Sequence, residues 1–466
     1  MTLTKYEEGS FRELLSMALP LMLSSFSMML MLFVDRLLLA HYSTAALNSA
    51  VNASTLGWAF LFGWVVLANI TEVFVAQYHG AKQLNRMGEP VWQMLWLSLV
   101  SSIFFIPMSI WGGEWIYGSS PDTEMERIYI CWMLLFGPTF AAYGALSGFF
   151  VGQGKTKLIT LLAIGANIIN VLLDVCLIFG IEGIVPAMGI EGAAIATSIG
   201  SLFQMVVLLY FFLKKENREK YGTDCYRFQF GAFWRCFKIG SPGAIFAIVE
   251  ILGWAIFYKM MTLVSEEHIT ISGICQSLFI LLLFFGEGVS KAATAITGNL
   301  IGAKRPWFIP NVLKAGLLIH FFFLCVTLLL FVLFQQVLID QFLPHATPEY
   351  RASIENTLIS CLFITLVYLF FEGVRWLIAG ILTAAGDTFF LLIAGSLSVW
   401  ILMVAPVYIF VVKMHASVEI AVSFWLFFSI CAIFIYYWRY TSDLWKNKSI
   451  ITESPVITES VVSEYV

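Results

Sequence analysis

Apolar stretches of more than twenty residues alternate with short polar breaks from residue 14 to residue 439. A helix rising ~1.5 Å per residue needs about 20 apolar residues to cross ~30 Å of hydrocarbon. Twelve stretches meet that length, with cores at 14–40, 53–78, 91–113, 128–150, 157–181, 189–213, 240–264, 269–300, 311–338, 353–384, 389–413 and 417–439. Transmembrane β-strands would show alternation over ~10 residues instead. The pattern predicts an all-α integral membrane protein of about twelve transmembrane helices. The longest hydrophilic break, LKKENREKYGTDCYRFQFGAFWRCFK, falls between the sixth and seventh stretches. It divides the chain into a six-helix lobe over 1–213, a linker loop over 214–239 and a second six-helix lobe over 240–440. The tail 441–466 repeats ITES and offers no packable face, so disorder is expected there.

The two halves repeat each other. Pro20 in SMALPLML matches Pro242 in KIGSPGAI, and Gly80-Ala81-Lys82 matches Gly302-Ala303-Lys304 at the same offset. Gly148, Gly154 and Thr156 match Gly380, Gly386 and Thr388 at a slightly larger one. Each pair has the same predicted sidedness, so the repeat is parallel, about an axis along the membrane normal. Two pseudo-symmetric lobes of this kind enclose a cavity and alternate its access by rocking. That makes a duplicated transporter the leading reading.

Composition agrees: 60% of residues are hydrophobic and 12% charged, with mean hydropathy +0.86, where a soluble domain keeps about a quarter charged. The net charge of −4 carries little information, but its distribution does. Lys82, Arg86, Lys155, Lys157, Lys304, Arg305 and the basic central break share one predicted side. Loops such as GSSPDTEMER and SEEH occupy the other. The excess of lysine and arginine puts both termini and the linker in the cytoplasm of a multi-pass plasma membrane, expected to be a bacterial inner membrane. MTLTKYEEGSFREL runs into the first span without a small-residue cleavage site, so no cleavable signal is expected. The eight scattered cysteines form no CxxC pair and read as small packing residues.

The first span carries Pro20 near one end and Asp35 near the other. A charge at membrane depth costs roughly 2.5–3.5 kcal/mol on insertion scales, so Asp35 faces protein or water and is a functional candidate. In the fifth span Asn170 and Asp174 are four apart and share a face. Asp35 and Asp174 each lie about 9 Å from the outer ends of their spans, and Thr197 about 12 Å inward in the sixth. This set can hold a small hard cation with oxygen ligands or take up a proton. Alternatively, Asp35 pairs with Arg36 and Asp174 merely bonds Asn170. The second lobe offers Glu250, Tyr368 and Glu372 near mid-membrane, suited to a cation or an organic cationic substrate. Lys291 and Arg375 lie at comparable depth, and Glu287 precedes Lys291 by four, so a buried ion-pair network is the competing arrangement. Glu72 can line the cavity or approach an interface. Gln276, Asn52 and Asn69 are candidates for interhelical hydrogen bonding.

On Pro20 with Asp35, the two GAK segments, Asn170-x-x-x-Asp174, GAAIAT ending in Thr197, and Tyr368-x-x-x-Glu372 before GILTAAGDT, the chain resembles the MATE (multidrug and toxic compound extrusion) family over about residues 10–440. The resemblance implies a MATE/MOP-type fold of two six-helix lobes. It implies a coupling-cation site, for Na⁺ or H⁺, at Asp35, Asn170, Asp174 and Thr197. It further implies an acidic site at Glu250, Tyr368 and Glu372, where Glu372 replaces the more familiar aspartate. Glu72, Glu287, Lys291 and Arg375 depart from the family pattern. The implied activity is antiport of an organic cation or amphiphile by a monomer, without cofactor or nucleic acid, with Pro20 letting the first helix bend. A lipid or lipid-linked oligosaccharide flippase of the same superfamily is the alternative, favoured by Lys291 and Arg375. No HExxH, GxSxG or paired His/Cys spacing points to an enzyme, and no filter-like element to a channel.

Overall fold

The structure, a computed structural model, describes residues 2–342, 348–447 and 450–451. It is helical throughout; among the described residues the β-structure is a single bridge between Ile181 and Val185. The first half comprises α1 (Phe11–Tyr42), α2 (Thr44–Ala68), α3 (Thr71–Gly80), α4 (Gly88–Tyr117), α5 (Glu124–Leu135), α6 (Gly137–Val151), α7 (Thr156–Ile178) and α8 (Ile190–Phe212). A short helix α9 (Lys215–Tyr221) precedes the second half. That half comprises α10 (Phe230–Val264), α11 (Glu266–Gly302), α12 (Ile309–Phe342), α13 (Pro348–Ala384), α14 (Thr388–Val399) and α15 (Val418–Thr441). Among the described residues, eleven helical segments are long and apolar enough to cross a membrane, and the bent pair α5–α6, taken as one span, makes a twelfth. The chain is a multi-pass membrane protein.

Several spans are interrupted where an unbroken helix was expected. The second span breaks between α2 and α3 at Asn69–Ile70, and the fourth bends by 41° between α5 and α6. The bend falls at Gly137-Pro138, where proline removes a backbone donor and crowds the preceding turn. A Cβ at Gly137 would stand 2.6 Å from the Phe105 ring, so only glycine allows α4 that close. After α14 the chain continues as two π-helical stretches, Trp400–Val404 and Val407–Lys413, flanking Pro406. The segment 214–239, expected as a loop, contains α9 and the first turns of α10. The expected disorder of 441–466 fails at its start. Trp445 is buried, stacks on Tyr440 and donates to the Tyr440 carbonyl at 2.7 Å, and Ile450 is buried against Gly386. Residues 452–466 lie outside the described residues.

The repeat extends to backbone conformation. Lys82 and Lys304, ending the two GAK segments, both take left-handed φ, 60° and 56°. Gly154 and Gly386 do so at 76° and 78°. Ser43 and Ser265, at the same offset as the two GAK segments, each cap the following helix by accepting from the N–H three residues on.

Among the described residues, buried side chains gather in three clusters. The largest draws on both halves, from Leu14 and Phe74 to Val289 and Leu377. The others belong to one half each, around Tyr129, Ile130 and Ala193 in the first and Trp425, Leu362 and Val407 in the second. The halves thus share a core towards the GAK end and keep separate cores towards the other. Close backbone approach explains the shared end. A Cβ at Gly80 would lie 2.0 Å from the Asn299 carbonyl oxygen, and one at Gly302 2.0 Å from that of Gln77. Gln77 also donates to the Ala384 carbonyl at 2.7 Å. Part-buried ion pairs Arg235–Glu89 (2.8 Å) and Arg305–Glu8 (2.5 Å) close the same end.

Candidate functional site

Helices α1 and α7 run parallel, joined by polar contacts two turns apart. Thr160 donates to the Pro20 carbonyl at 2.5 Å, and Asn167 to the Ser27 hydroxyl at 2.5 Å. The carboxyls of Asp174 and Asp35 come within hydrogen-bonding reach of each other. On α7 these residues are seven apart, so they share a face, with neighbouring rungs about 10 Å apart along the axis. Helix α1 continues through Pro20; the proline's own carbonyl is where α7 attaches.

At the far rung the set expected from sequence assembles. Asp35 is 6% exposed, and Asn170 and Asp174 are fully buried. Thr197 on α8 donates to Asp35 Oδ2 at 3.3 Å. Gly200, one turn beyond Thr197, faces Asn170: a Cβ there would sit in ordinary van der Waals contact, 3.6 Å from the Asn170 Cβ. Tyr129 on α5, not singled out by sequence, is buried and near enough to both carboxyls to act on them electrostatically. The signal was weak: one tyrosine at the start of an apolar run. A cleft of about 740 Å³ lined by Phe33, Arg36, Leu37, Asn48 and Asn52 opens beside this rung between α1 and α2. Two carboxyl groups can hydrogen-bond only by sharing a proton. The same oxygens, with the Asn170 amide and the Thr197 hydroxyl, are the donor types a hard cation takes. The set can therefore accommodate one positive charge.

The second half assembles differently from the expected cation site. Arg375, 1% exposed, donates from Nη2 to Glu250 at 2.8 Å, from Nε to Glu372 at 2.9 Å, and from Nη2 to the other Glu372 oxygen. Ser429 donates to Glu372 at 3.1 Å, and the Phe428 ring lies 5.4 Å from the guanidinium. This is the ion-pair network that the sequence left open: a planar fork matched to two carboxylates in a low-dielectric interior. Tyr368 does not join it by hydrogen bonding. Its hydroxyl has no partner among the described residues, and its ring packs among Trp254, Phe279 and Trp425.

Glu287 accepts from Lys291 Nζ at 2.6 Å, and this pair faces the first half. Ser25 on α1 reaches Glu287, while Glu72 on α3 and Tyr143 on α6 lie close enough to act on Lys291. Glu72 is placed by Gly148 on α6 and Gly152 just past its end. Added Cβ atoms at Gly148 and Gly152 would lie 2.7 Å from Glu72 N and 2.8 Å from Glu72 O. Gln276 is half-buried on α11, about 17 Å along the axis from Glu287, and joins neither group.

The MatE family model matches residues 20–176 and 242–409, taking in most of both halves. A probable multidrug resistance protein NorM of Photorhabdus laumondii subsp. laumondii is 26% identical over 314 residues, 66% of this chain and 68% of its own. Its namesake in Bacillus subtilis is 24% identical over 411 residues, 86% and 88% of the two chains. A solved structure described as the outward-facing conformation of a multidrug resistance MATE family transporter of the MOP superfamily shares the fold. Its TM-score is 0.81, with 95% of this chain and 98% of that one covered at 16% identity.

Proposed function

Because this chain belongs to the MatE family, we propose that it is a secondary active efflux transporter, exporting organic cations or amphiphilic drugs and metabolites in exchange for Na⁺ or H⁺. The observation that carries this reading is the buried Asp35–Asp174 carboxyl pair, with Thr197 and Asn170 around it, inside one half of a duplicated membrane fold. Such a pair gains or loses one positive charge at a membrane depth where charge is costly. Its occupancy therefore biases the packing of α1 against α7 and α8. Coupling requires that the ion favour the arrangement that holds substrate less well; equal affinity for both would shift nothing.

The packing supports alternating access. The halves share a core at the GAK end and keep separate cores at the other, as expected of a state open on the side away from the GAK segments. With the lysine- and arginine-bearing turns taken as cytoplasmic, that state faces outward. The termini then lie in the cytoplasm, the protein acts as a monomer in a bacterial inner membrane, and the substrate enters from the cytoplasm or inner leaflet. Pro20, through the Thr160 contact, is the point about which α1 bends relative to α7. The flippase alternative rested on free cations for a lipid pyrophosphate. Arg375 is held by two glutamates and Lys291 by one, which weakens it.

The test is ethidium movement in proteoliposomes under an imposed Na⁺ gradient and, separately, a pH gradient, with Asp35→Asn alongside. Transport driven by one gradient and abolished in the variant is expected and names the ion. A folded protein that moves ethidium under neither gradient rejects the reading.

A further inference from the structure

We propose that Glu72, Glu287 and Lys291 form a substrate subsite between the halves, whose single net negative charge selects monovalent over divalent organic cations. This deepens the efflux reading and rests on it.

Lys291 and Glu287 lie about 17 and 23 Å along α11 from Gly302, deep in the membrane-spanning part. Yet their side chains are 40% and 36% exposed. Their neighbours across the gap are Ser25, Glu72 and Tyr143, all on the first half, so the space they open into lies between the halves. Glu72 is 7% exposed, and its Oε1 has no hydrogen-bond partner among the described residues. A buried carboxylate oxygen left without a donor is costly and calls for a bound proton or cation. The close approach of Gly148 and Gly152 fixes the α3 backbone at Glu72. Phe26 on α1 and Phe284 on α11 stand edge to face at 5.2 Å, one from each half. Phe26 follows Ser25 on α1, and Phe284 lies one turn before Glu287 on α11, so the pair stands near the same depth. Their faces suit a flat cation.

The charge count decides what fits. When all three groups are ionised, as with a cation bound, two carboxylates and one ammonium leave one negative charge, and Ser25 and Tyr143 add none at neutral pH. A monocation neutralises the set, whereas a dication leaves an uncompensated charge in a low-dielectric space. Lys291 is thus a built-in counter-charge that sets the valence of the substrate.

The experiment compares ethidium, a monocation, with propidium, a dication on the same ring system. It uses the full-length protein in proteoliposomes under whichever ion gradient drives transport, with folding of each variant checked by thermal unfolding. The wild type is expected to favour ethidium. Lys291→Met should shift the ethidium-to-propidium ratio by about tenfold or more towards propidium, and Glu72→Gln should weaken ethidium binding by about 30-fold. The double variant Glu287→Gln/Lys291→Met, which keeps one net negative charge, should return the ratio towards wild type and also serves if Lys291→Met fails to fold. Ethidium transport by the wild type with an unchanged ratio in the folded lysine variants overturns the subsite. Transport of neither dye by the wild type overturns the efflux reading itself.

Discussion

Replacing Gly80 by alanine tests whether the halves are held together by close backbone approach at the GAK end. The added Cβ would stand 2.0 Å from the Asn299 carbonyl oxygen and 2.8 Å from the Ala303 nitrogen, both backbone atoms of α11 that cannot rotate away. Carbon and carbonyl oxygen settle no closer than about 3.3 Å, so α3 and α11 must part by about 1.3 Å locally. Overpacking of this kind costs about 1–3 kcal/mol. Gly80 has ordinary helical φ, so alanine itself favours α3 by about 0.5–1 kcal/mol. The penalty therefore falls on the contact between halves and leaves each half intact. A coupling of that size shifts the balance between a state closed at the GAK end and one open there by about 5- to 150-fold. Spin labels at the exposed Glu182 and His415 report the far end, and labels at Lys157 and Trp307 the GAK end. The first distance should shorten and the second lengthen in the variant. Gly165→Ala, where nothing lies within 4 Å of the new Cβ, should change neither. Distance distributions identical to wild type in a folded Gly80→Ala protein would refute the claim that this approach locks the halves.

Glu372→Gln replaces one of the two carboxylates on Arg375 with a neutral amide while Glu250 still balances the guanidinium, so the weakened charge-assisted hydrogen bonds should lower stability by about 1.5–3 kcal/mol, read as a fall in the thermal midpoint in detergent. An unchanged midpoint would mean the network is not structural. Ser265→Ala removes the hydroxyl that caps α11 and should cost about 1 kcal/mol. Ser43→Ala should cost the same if the repeat is energetic as well as geometric, so the two midpoints are to be compared. Thr197→Ala removes one neutral donor to Asp35, worth about 0.5–1.5 kcal/mol net. It should reduce coupling several-fold without abolishing it, in contrast to Asp35→Asn; complete loss in a folded protein would show the hydroxyl to be an obligatory ligand.

Twelve spans, their helical nature and the two-fold repeat were legible because they are one-dimensional. Hydrocarbon thickness sets the run length, and each matched feature keeps its spacing. The Asp35 set was legible for a related reason. Polar residues are scarce at that depth, and the i,i+4 spacing of Asn170 and Asp174 puts them on one face whatever surrounds them. Residue order alone did not decide where the helices would break. Gly137-Pro138 and Pro406 stood in apolar runs that read as continuous, and the Asn69–Ile70 break depends on how α6 packs. The rungs Thr160–Pro20 and Asn167–Ser27 were missed because ordinary serine, threonine and asparagine carry no signal until two helices are aligned. Tertiary structure alone decided charge pairing. Glu250 and Arg375 are 125 positions apart, and sequence left Glu372 free to bind a cation or hold an arginine. The same holds for Glu72, whose meaning depends on Lys291 reaching it from the other half. A sequence states how many charges the membrane must accommodate, but Coulomb energy falls off over ångströms, so which charges neutralise each other is fixed only once the helices pack.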